Sequence, residues 1–471
     1  MISIKEHDAE VDNIVESMKL YSKSNSAEKL IFTHVGSHST REKSRHTYNK
    51  IDISHLNNII LINKKKLIAE VEPSVTMKQL LDECLKFGLM PKVVMEFSDI
   101  TVGGAIEGAA LESSSFKFGQ FNDSCTEYEV ILPTGKKVIA NKNSFKDLFY
   151  GKTGSYGSLG LLTKVKISLI KSKNYVDLTY NFFSSVEESI EYMESMMKRN
   201  VDFIDGIVFS SYKVVIISGK LSDSPNFEIR KFTRAFDPWF YKHVDSITKD
   251  FKVKTESVPL KDYYFRYDRA AYWMGQYFVN YVGGYNLITR TLFNQSLSTR
   301  RMYKALHLGN LSQMFFIQDF YTPLNKTADF IKYTKERVNV FPIWLCPVKP
   351  TKKLQKLSPH YSKAKFLINV GFYGRSKKFA ENYLKSNRDI EKFANSINAR
   401  KMLYAHAYYP KEEFWKLYDL RWYKKLRKKY GAEKCLLDVF ERTHVKEKYK
   451  PTIILGAIKF YWQLLTQGKK F

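Results

Sequence analysis

Residues 96–119 read EFSDITVGGAIEGAALESSSFKFG. Gly103 and Gly104 follow two β-branched residues, and the three serines 113–115 lie just downstream. Because glycine carries no Cβ, the main chain of such a pair can approach a ligand closely, and successive N–H groups form a concavity that suits phosphate. The spacing matches neither the GxGxxG of a dinucleotide fold nor the GxxxxGK[ST] of a triphosphate loop. On the glycines alone, the alternative is a turn of small residues packed against a neighbour.

A second glycine cluster lies further along the chain. Residues 151–160 read GKTGSYGSLG and precede the alternating pattern of a strand at residues 162–170. Two glycine-rich loops, each beside a predicted strand and within about 60 residues of each other, favour one nucleotide-shaped ligand over two unrelated turns.

Hydrophobic periodicity predicts helices and strands along the whole chain. The predicted helices are residues 8–22, a helix capped by Thr76 and ended by Gly88, and residues 186–198, 377–398 and 410–430. The predicted strands are residues 30–32, 58–62, 67–71, 128–132, 138–140, 162–170, 176–180, 207–217, 340–346 and 366–372. The composition shifts after about Ser172, so we predict three segments: 1–172, 173–450 and 451–471.

Composition narrows the classes of protein. The 471 residues, 44% of them hydrophobic, allow two or three folded domains. The net charge of +28 suits an anionic membrane, nucleic acid or a phosphorylated cofactor. Because the lysines form no single long block, a surface rich in Lys throughout is the favoured explanation. The four cysteines are far apart and form no CxxC pair, which predicts no metal site and no disulfide framework.

Two further stretches leave alternatives open. Residues 34–39 are predicted to form a turn with His38 near its tip, and spacing alone predicts that this histidine is a solvated loop residue. Residues 232–300 are dense in aromatic side chains, which indicates either core or the wall of a pocket for a large apolar substrate.

Many separated motifs occur in a fixed order between about Glu70 and Tyr430. They include Thr101-Val102-Gly103-Gly104, Glu112-Ser113-Ser114-Ser115, Lys117-Phe118-Gly119, Gly157-Ser158-Leu159-Gly160, Pro238-Trp239-Phe240, Gln318-Asp319, Pro342-Ile343-Trp344-Leu345-Cys346-Pro347, Gly371-Phe372-Tyr373-Gly374 and Leu403-Tyr404-Ala405. Together they closely resemble the Diminuto-type sterol delta-24 reductases, which belong to the wider vanillyl-alcohol-oxidase class of FAD enzymes.

The resemblance implies an α+β fold, with a two-lobed FAD-binding PCMH-type domain followed by an α+β substrate or cap domain. It implies that NADPH reduces FAD, and that the flavin N5 hydride goes to a side-chain double bond of a sterol. A protein acid or water supplies the proton. The FAD contacts that it assigns are Thr101, Val102, Gly103, Gly104, Ala105, Gly108, Glu112, Ser113, Gly157, Gly160 and Leu161.

The chain departs from the family pattern at several points. Family reductases carry an N-terminal membrane anchor, which we do not find here, and Trp273 is followed by Met274 where the family has Glu. An acidic residue of the family is replaced by His406. The turn around His38 resembles the Gly-x-His-Ser turn that attaches FAD covalently in some oxidases of the wider class. We nevertheless expect non-covalent FAD.

Four residues are candidates for the chemistry. Tyr404 and His406 lie two positions apart, so on a strand both would face the same side and could donate a proton. Arg269 and Asp319 are candidates for orienting the substrate or contacting NADPH. The alternative is that Tyr404 and His406 only pack and form hydrogen bonds.

Two rival functions remain open: an FAD-linked oxidase of an alcohol or sugar lactone, and an inactive basic relative that binds lipid or nucleic acid. For the reductase we expect a sterol substrate and no nucleic acid. No run of about 18 apolar residues occurs, so we expect no transmembrane helix and a cytoplasmic or peripheral endoplasmic-reticulum location. Residues 453–465 combine aromatics and leucines with nearby lysines, which suits a membrane interface, although a terminal helix docked on the core is the favoured alternative.

Overall fold

A computed structural model describes residues 2–24, 28–34, 39–40, 48–445 and 449–467; His38 lies outside these ranges. The elements up to residue 171 are α1 (Ile4–Lys23), β1 (Leu30–Thr33), β2 (Asn49–Asp52), β3 (Ile59–Asn63), β4 (Ile68–Val71), α2 (Met77–Leu85), β5 (Leu89–Pro91), α3 (Val102–Glu107), α4 (Ser115–Phe118), β6 (Cys125–Ile131), β7 (Lys137–Asn141), α5 (Lys146–Gly151) and β8 (Leu161–Lys171).

Of the described strands in this half, six form one sheet in the order β3-β4-β8-β6-β7, with β5 also paired to β8. Its neighbouring strands run antiparallel, and β1 and β2 form a separate parallel pair. The hairpin predicted around residues 58–71 is confirmed as β3 and β4. Thr76 caps α2 as predicted, because its hydroxyl accepts the Gln79 N–H at 3.2 Å and thereby satisfies a main-chain donor that the helix leaves open.

The second half begins at Tyr175. Its elements are β9 (Tyr175–Phe183), α6 (Val186–Met197), β10 (Phe203–Ser210), β11 (Lys213–Ser222), α7 (Phe240–Ile247), β12 (Lys254–Pro259), α8 (Leu260–Tyr264), α9 (Gly275–Val279), α10 (Leu287–Leu292), α11 (Thr299–Leu308), β13 (Phe316–Pro323), α12 (Thr327–Arg337), β14 (Ile343–Val348), β15 (Leu367–Gly374), α13 (Lys377–Glu381), α14 (Tyr383–Ser396), β16 (Arg400–Lys401), α15 (Lys411–Leu417), α16 (Leu420–Lys429), α17 (Ala432–Cys435), α18 (Val439–Thr443) and α19 (Ile453–Gln467).

Eight of the described strands form the second sheet, in the order β12-β9-β11-β10-β14-β15-β13-β16, and its paired strands are antiparallel. Side chains alternate between its faces: Val215 and Ile217 join the core shared with the first sheet, whereas Val214 and Ile216 pack into the core beneath α6, α12 and α14. The second sheet is thus covered on both faces, and helices pack outside antiparallel sheets. This arrangement confirms the predicted α+β class.

The prediction of a single strand over residues 207–217 was wrong. The chain folds back at residues 211–212, and β10 and β11 pair as a hairpin. Both strands are apolar on both faces because the sheet is covered on both sides. The turn between them carries no glycine or proline signal, so the periodicity did not reveal it.

Helix α1 is held against the first sheet by a buried ion pair. His7 lies between two carboxylates, with its Nδ1 2.7 Å from Glu72 and its Nε2 3.0 Å from Glu129. Although burial lowers the pKa of His7, these two partners outweigh it and raise the pKa to about 9, so the ring is a cation at neutral pH.

None of the helices in the described ranges combines the length and the apolar character needed to cross a bilayer.

Candidate active site

A cavity of about 350 Å³ lies between the two halves of the chain. The two glycine loops and Glu107 line one part of it, together with Arg442 from α18. Apolar and aromatic side chains of the second half line the rest: Ala271, Tyr272, Met274, Met302, Tyr303, Leu306, Ile317, Trp344, Tyr373 and Met402. The site therefore has a polar, glycine-rich part and an apolar part.

The first glycine pair performs two separate tasks. Gly103 is buried, and a Cβ added to it would lie 2.9 Å from Pro73 Cβ, so this glycine allows α3 to pack against the chain before α2. Gly104 is exposed on the cavity side, and its N–H donates to the Thr101 hydroxyl at 3.2 Å. Of these two glycines, Gly104 is therefore the one whose main chain is open to a ligand.

The two glycine clusters meet at the Glu107 carboxylate. It accepts hydrogen bonds from the Ser155 hydroxyl at 2.8 Å and from the Gly157 N–H, and it pairs with the Lys152 ammonium group. Gly157 has a φ of +79°, a backbone conformation that glycine adopts without strain. The prediction that both loops serve one ligand gains support from this contact, and Lys152 compensates the negative charge that Glu107 would otherwise bring to the cavity.

Arg442 was missed by sequence reasoning. Its guanidinium group lines the cavity, and within the described residues no hydrogen bond or ion pair engages it. Burial lowers its pKa, while the Glu107 charge acts in the opposite direction. An arginine keeps its charge under such conditions. No motif surrounds Arg442, and it reaches the cavity only because the chain returns to the first domain near its end.

FAD fits these residues. The cofactor has a dianionic pyrophosphate and a large planar ring system. Gly104 and Gly157 leave space where a side chain would otherwise stand: a Cβ built on Gly157 has Phe32 at 3.7 Å as its nearest neighbour. Arg442 supplies an unengaged cation, and the aromatic wall suits a planar ring.

Asp319 is the centre of a buried hydrogen-bond network. The Tyr404 hydroxyl donates to its Oδ2 at 2.5 Å, the Tyr373 hydroxyl to its Oδ1 at 2.9 Å, and the Asn369 amide to its Oδ1 at 2.6 Å. Burial raises the pKa of Asp319 to about 6, and these donors limit the rise. Gly371 makes the network possible, because an added Cβ would lie 2.7 Å from Asp319 Oδ1.

The aromatic side chains of residues 232–300 divide between the two roles expected for them, the core and the wall of the pocket. Tyr272 lines the cavity and lies with its ring centroid 5.3 Å from that of Trp344 and 4.8 Å from that of Tyr373. Trp239 and Phe240 are buried in the core and do not line the cavity.

The structure brings eight of the expected site residues to the cavity: Thr101, Gly103, Gly104, Gly108, Gly157, Leu161, Asp319 and Tyr404. Val102, Ala105 and Gly160 do not reach its lining, because the first two lie on the buried face of α3 and Gly160 packs against the Ile131 carbonyl. His38 cannot be placed, since it lies outside the described residues.

Arg269 and His406 also lie outside the cavity lining. The Arg269 guanidinium donates to the carbonyls of Phe232, Ala235 and Asp237. Residues 403–405 form a turn and a bend rather than a strand, so the alternation of a strand does not place Tyr404 and His406 on one face. The His406 ring lies 3.4 Å from the Thr40 hydroxyl.

Glu112 and Ser113 belong to a buried ionic network. Arg266 donates to Glu112 at 3.1 Å and to Asp205 at 2.8 Å, and the Ser113 hydroxyl lies 2.8 Å from that of Tyr263. Burial raises the pKa of Glu112, and the Arg266 charge opposes the rise. Residues of the first glycine region thus connect to the second half of the chain through charges and hydrogen bonds.

Comparison with known proteins now adds a second line of support. Residues 9–141 match the FAD binding domain family. The delta(24)-sterol reductase of Homo sapiens is 31% identical over 415 residues, which is 85% of this chain and 78% of the human protein. That of Arabidopsis thaliana is 28% identical over 489 residues, 93% of this chain and 85% of the plant protein. A homologue in Caenorhabditis elegans is 29% identical over 419 residues, 83% and 78% of the two chains.

The similarity to the human protein covers 85% of this chain and therefore extends through both halves of it. The chain belongs to the delta(24)-sterol reductase family of FAD-dependent oxidoreductases.

Proposed function

We propose that this protein uses FAD and NADPH to reduce a carbon–carbon double bond in a sterol side chain. The observation that carries the proposal is one continuous cavity that joins the glycine loops to an apolar, aromatic wall. A phosphorylated cofactor and a large apolar substrate need these two environments side by side. When bound, FAD supplies the hydride chemistry. NADPH as donor rests on membership of the family.

The residues of this chain would divide the work. Gly104 and Gly157 give close main-chain approach, and Arg442 offers a positive charge to the pyrophosphate. The methionine and aromatic side chains exclude water and hold the sterol. Asp319, fixed by Tyr373 and Tyr404, presents a rigid anion that orients the substrate or the nicotinamide.

Flavin absorbance without oxygen tests the proposal. Protein reconstituted with FAD should be yellow, and NADPH should bleach it. Bleaching by an alcohol or sugar lactone, with no response to NADPH, would instead establish the rival oxidase. Protein that stays colourless in excess FAD would contradict both enzymatic functions and favour the inactive relative.

We expect the FAD to be bound without a covalent bond to His38. Acid denaturation should then release all of the flavin into the supernatant. Yellow colour retained in the precipitate would contradict this expectation and point to attachment through the loop of residues 36–39.

We also propose that the protein associates peripherally with the endoplasmic-reticulum membrane through a surface that we call the apolar patch. The exposed apolar side chains of this patch all lie on α19: Ile453, Ile454, Leu455, Ile458 and Trp462. Gly456 of α19 packs against Gly309 at the end of α11, so α19 is docked on the protein and still exposes an apolar side. Met302 and Leu306 of α11 line the cavity, which places the patch beside the apolar part of the site.

Removing three apolar side chains from the patch should weaken vesicle binding. We expect the variant Ile454→Ser/Ile458→Ser/Trp462→Ser to bind anionic vesicles roughly 100-fold more weakly, because each side chain loses on the order of 1 kcal/mol of transfer free energy. Co-sedimentation with phosphatidylserine vesicles measures the effect. Tyr212→Ser, at an exposed tyrosine outside the patch, is the control and should bind like the unmodified protein. Equal binding of the triple variant would contradict the membrane proposal.

A further inference from the structure

Reduction of an isolated double bond needs a proton as well as a hydride. Such an alkene is not polarised by a neighbouring carbonyl group, so hydride addition to one carbon requires an acid that protonates the other. The donor must carry its proton at neutral pH and lie in the apolar part of the cavity. This inference rests on the proposed function, because it identifies the acid for that reaction.

Asp319 and Tyr404 are poorly suited to this task. Asp319 accepts hydrogen bonds from two tyrosine hydroxyls and an amide, so both of its oxygens face donors. That arrangement holds the ionised form. The Tyr404 proton is directed at Asp319, and burial beside that carboxylate raises the pKa of Tyr404 well above its usual value.

Glu96 has the opposite environment. It is 8% exposed, and it lines the cavity together with its neighbours Met95 and Phe97. Within the described ranges no other side chain hydrogen-bonds its carboxyl group, which accepts a hydrogen bond from its own main-chain N–H. A buried carboxyl without a cation or a set of donors favours its protonated form.

The surrounding charges act in the same direction. Burial comes first, and the charges of Glu112 and Asp319 add to it; the Arg266 cation opposes them, and the pKa of Glu96 rises to about 8. Within the described residues, the other titratable groups that interact with Glu96 are the tyrosines 272, 303 and 373 and the thiol of Cys346, whose own pKa values are raised and which are neutral at pH 7. Glu96 is therefore mostly a neutral acid at physiological pH.

We propose that Glu96 is the proton donor of the alkene reduction. The carboxyl O–H bond breaks and its proton forms a C–H bond with one alkene carbon, using the π electron pair. A hydride, which the reduced flavin supplies, forms the second C–H bond at the other carbon. The double bond becomes a single bond with one hydrogen added to each carbon. Glu96 is left as a carboxylate that takes a proton from solvent before the next cycle. Tyr272 and Trp344 line the same cavity, and aromatic rings of this kind favour positive charge on a nearby carbon.

The substitution Glu96→Gln tests the donor, because Gln keeps the shape and removes the acidic proton. Bleaching by NADPH and flavin content should stay unchanged. Reoxidation of the reduced flavin by the sterol alkene should slow by about 100-fold or more, the range for a lost general acid. Glu96→Asp should recover part of the rate. Glu412→Gln, at an exposed carboxyl of α15, is the control and should match the unmodified protein.

Two further readouts separate chemistry from structure. In the unmodified protein the reoxidation rate should fall as the pH rises through about 8, since the acid form is lost there, and this limb should vanish in Glu96→Gln. The infrared C=O band of a protonated carboxylic acid, present at pH 7, should weaken in the same variant. Unchanged reoxidation, or an infrared spectrum identical to that of the unmodified protein, would overturn the assignment. Failure of the unmodified protein to reduce any sterol alkene would instead contradict the proposed function, and the infrared comparison would still decide whether Glu96 is protonated.

Discussion

Gly104→Val should abolish the retention of FAD. Both glycines of the pair line the cavity, but Gly104 is the exposed one, so the branched side chain would occupy space that the cofactor needs. Its φ is not positive, and the Cβ itself meets only the Thr101 hydroxyl, at 3.0 Å. The substitution should therefore leave the fold intact. We expect binding at least roughly 100-fold weaker, the equivalent of a steric cost of about 3 kcal/mol.

Equilibrium dialysis with FAD and the melting temperature of the apoprotein measure the two parts of this prediction. Gly104→Ala provides a graded comparison and should retain more flavin than the valine variant, because it adds a single methyl group. Normal FAD stoichiometry and affinity in Gly104→Val would show that the cofactor does not approach the main chain at this position.

Arg266→Met should cause the largest loss of stability. Arg266 is 1% exposed and is the cation that compensates Glu112 and Asp205. Removing one member of a buried ionic group leaves an uncompensated charge, which costs about 3–5 kcal/mol. The loss should shrink as the pH falls, because protonation of Glu112, whose pKa is already raised by burial, removes part of the unbalanced charge.

Urea unfolding at pH 8 and pH 5.5 gives the free energies needed. Arg421→Met, at an exposed position of α16, is the matched control and should change the free energy of unfolding by less than about 0.5 kcal/mol. A change of under about 1 kcal/mol for Arg266→Met at pH 8 would mean that the network contributes little to holding the domains together.

Local signals in the sequence were sufficient for much of the fold. The cap at Thr76 and the hairpin of β3 and β4 depend on residues close in sequence, and both were predicted. The two glycine clusters indicated a common ligand because bare main chain is needed where a ligand approaches. The hairpin of β10 and β11 was missed, since strands covered on both faces show no break in their apolar pattern.

The remaining site residues depend on contacts between distant parts of the chain. Glu96 is the first residue of the quoted stretch, but its proton-bearing state arises from burial and from charges at positions 112 and 319. Arg442 reaches the cavity from the end of the chain. His406 does not line the cavity, because the chain turns at this point, which spacing alone could not show. Burial and the positions of nearby charges depend on the tertiary structure, so the periodicity of the sequence does not reveal them.

The most direct test of the proposed function is a single turnover without oxygen. The FAD-loaded protein is bleached with one equivalent of NADPH and then mixed with a sterol that has a side-chain double bond at position 24, with the saturated sterol as control. We predict that the yellow colour returns only with the alkene, and that one equivalent of a product heavier by two hydrogen atoms forms for each flavin. Flavin that stays bleached with the alkene and recovers its colour only when air is admitted would contradict the proposed sterol reductase activity.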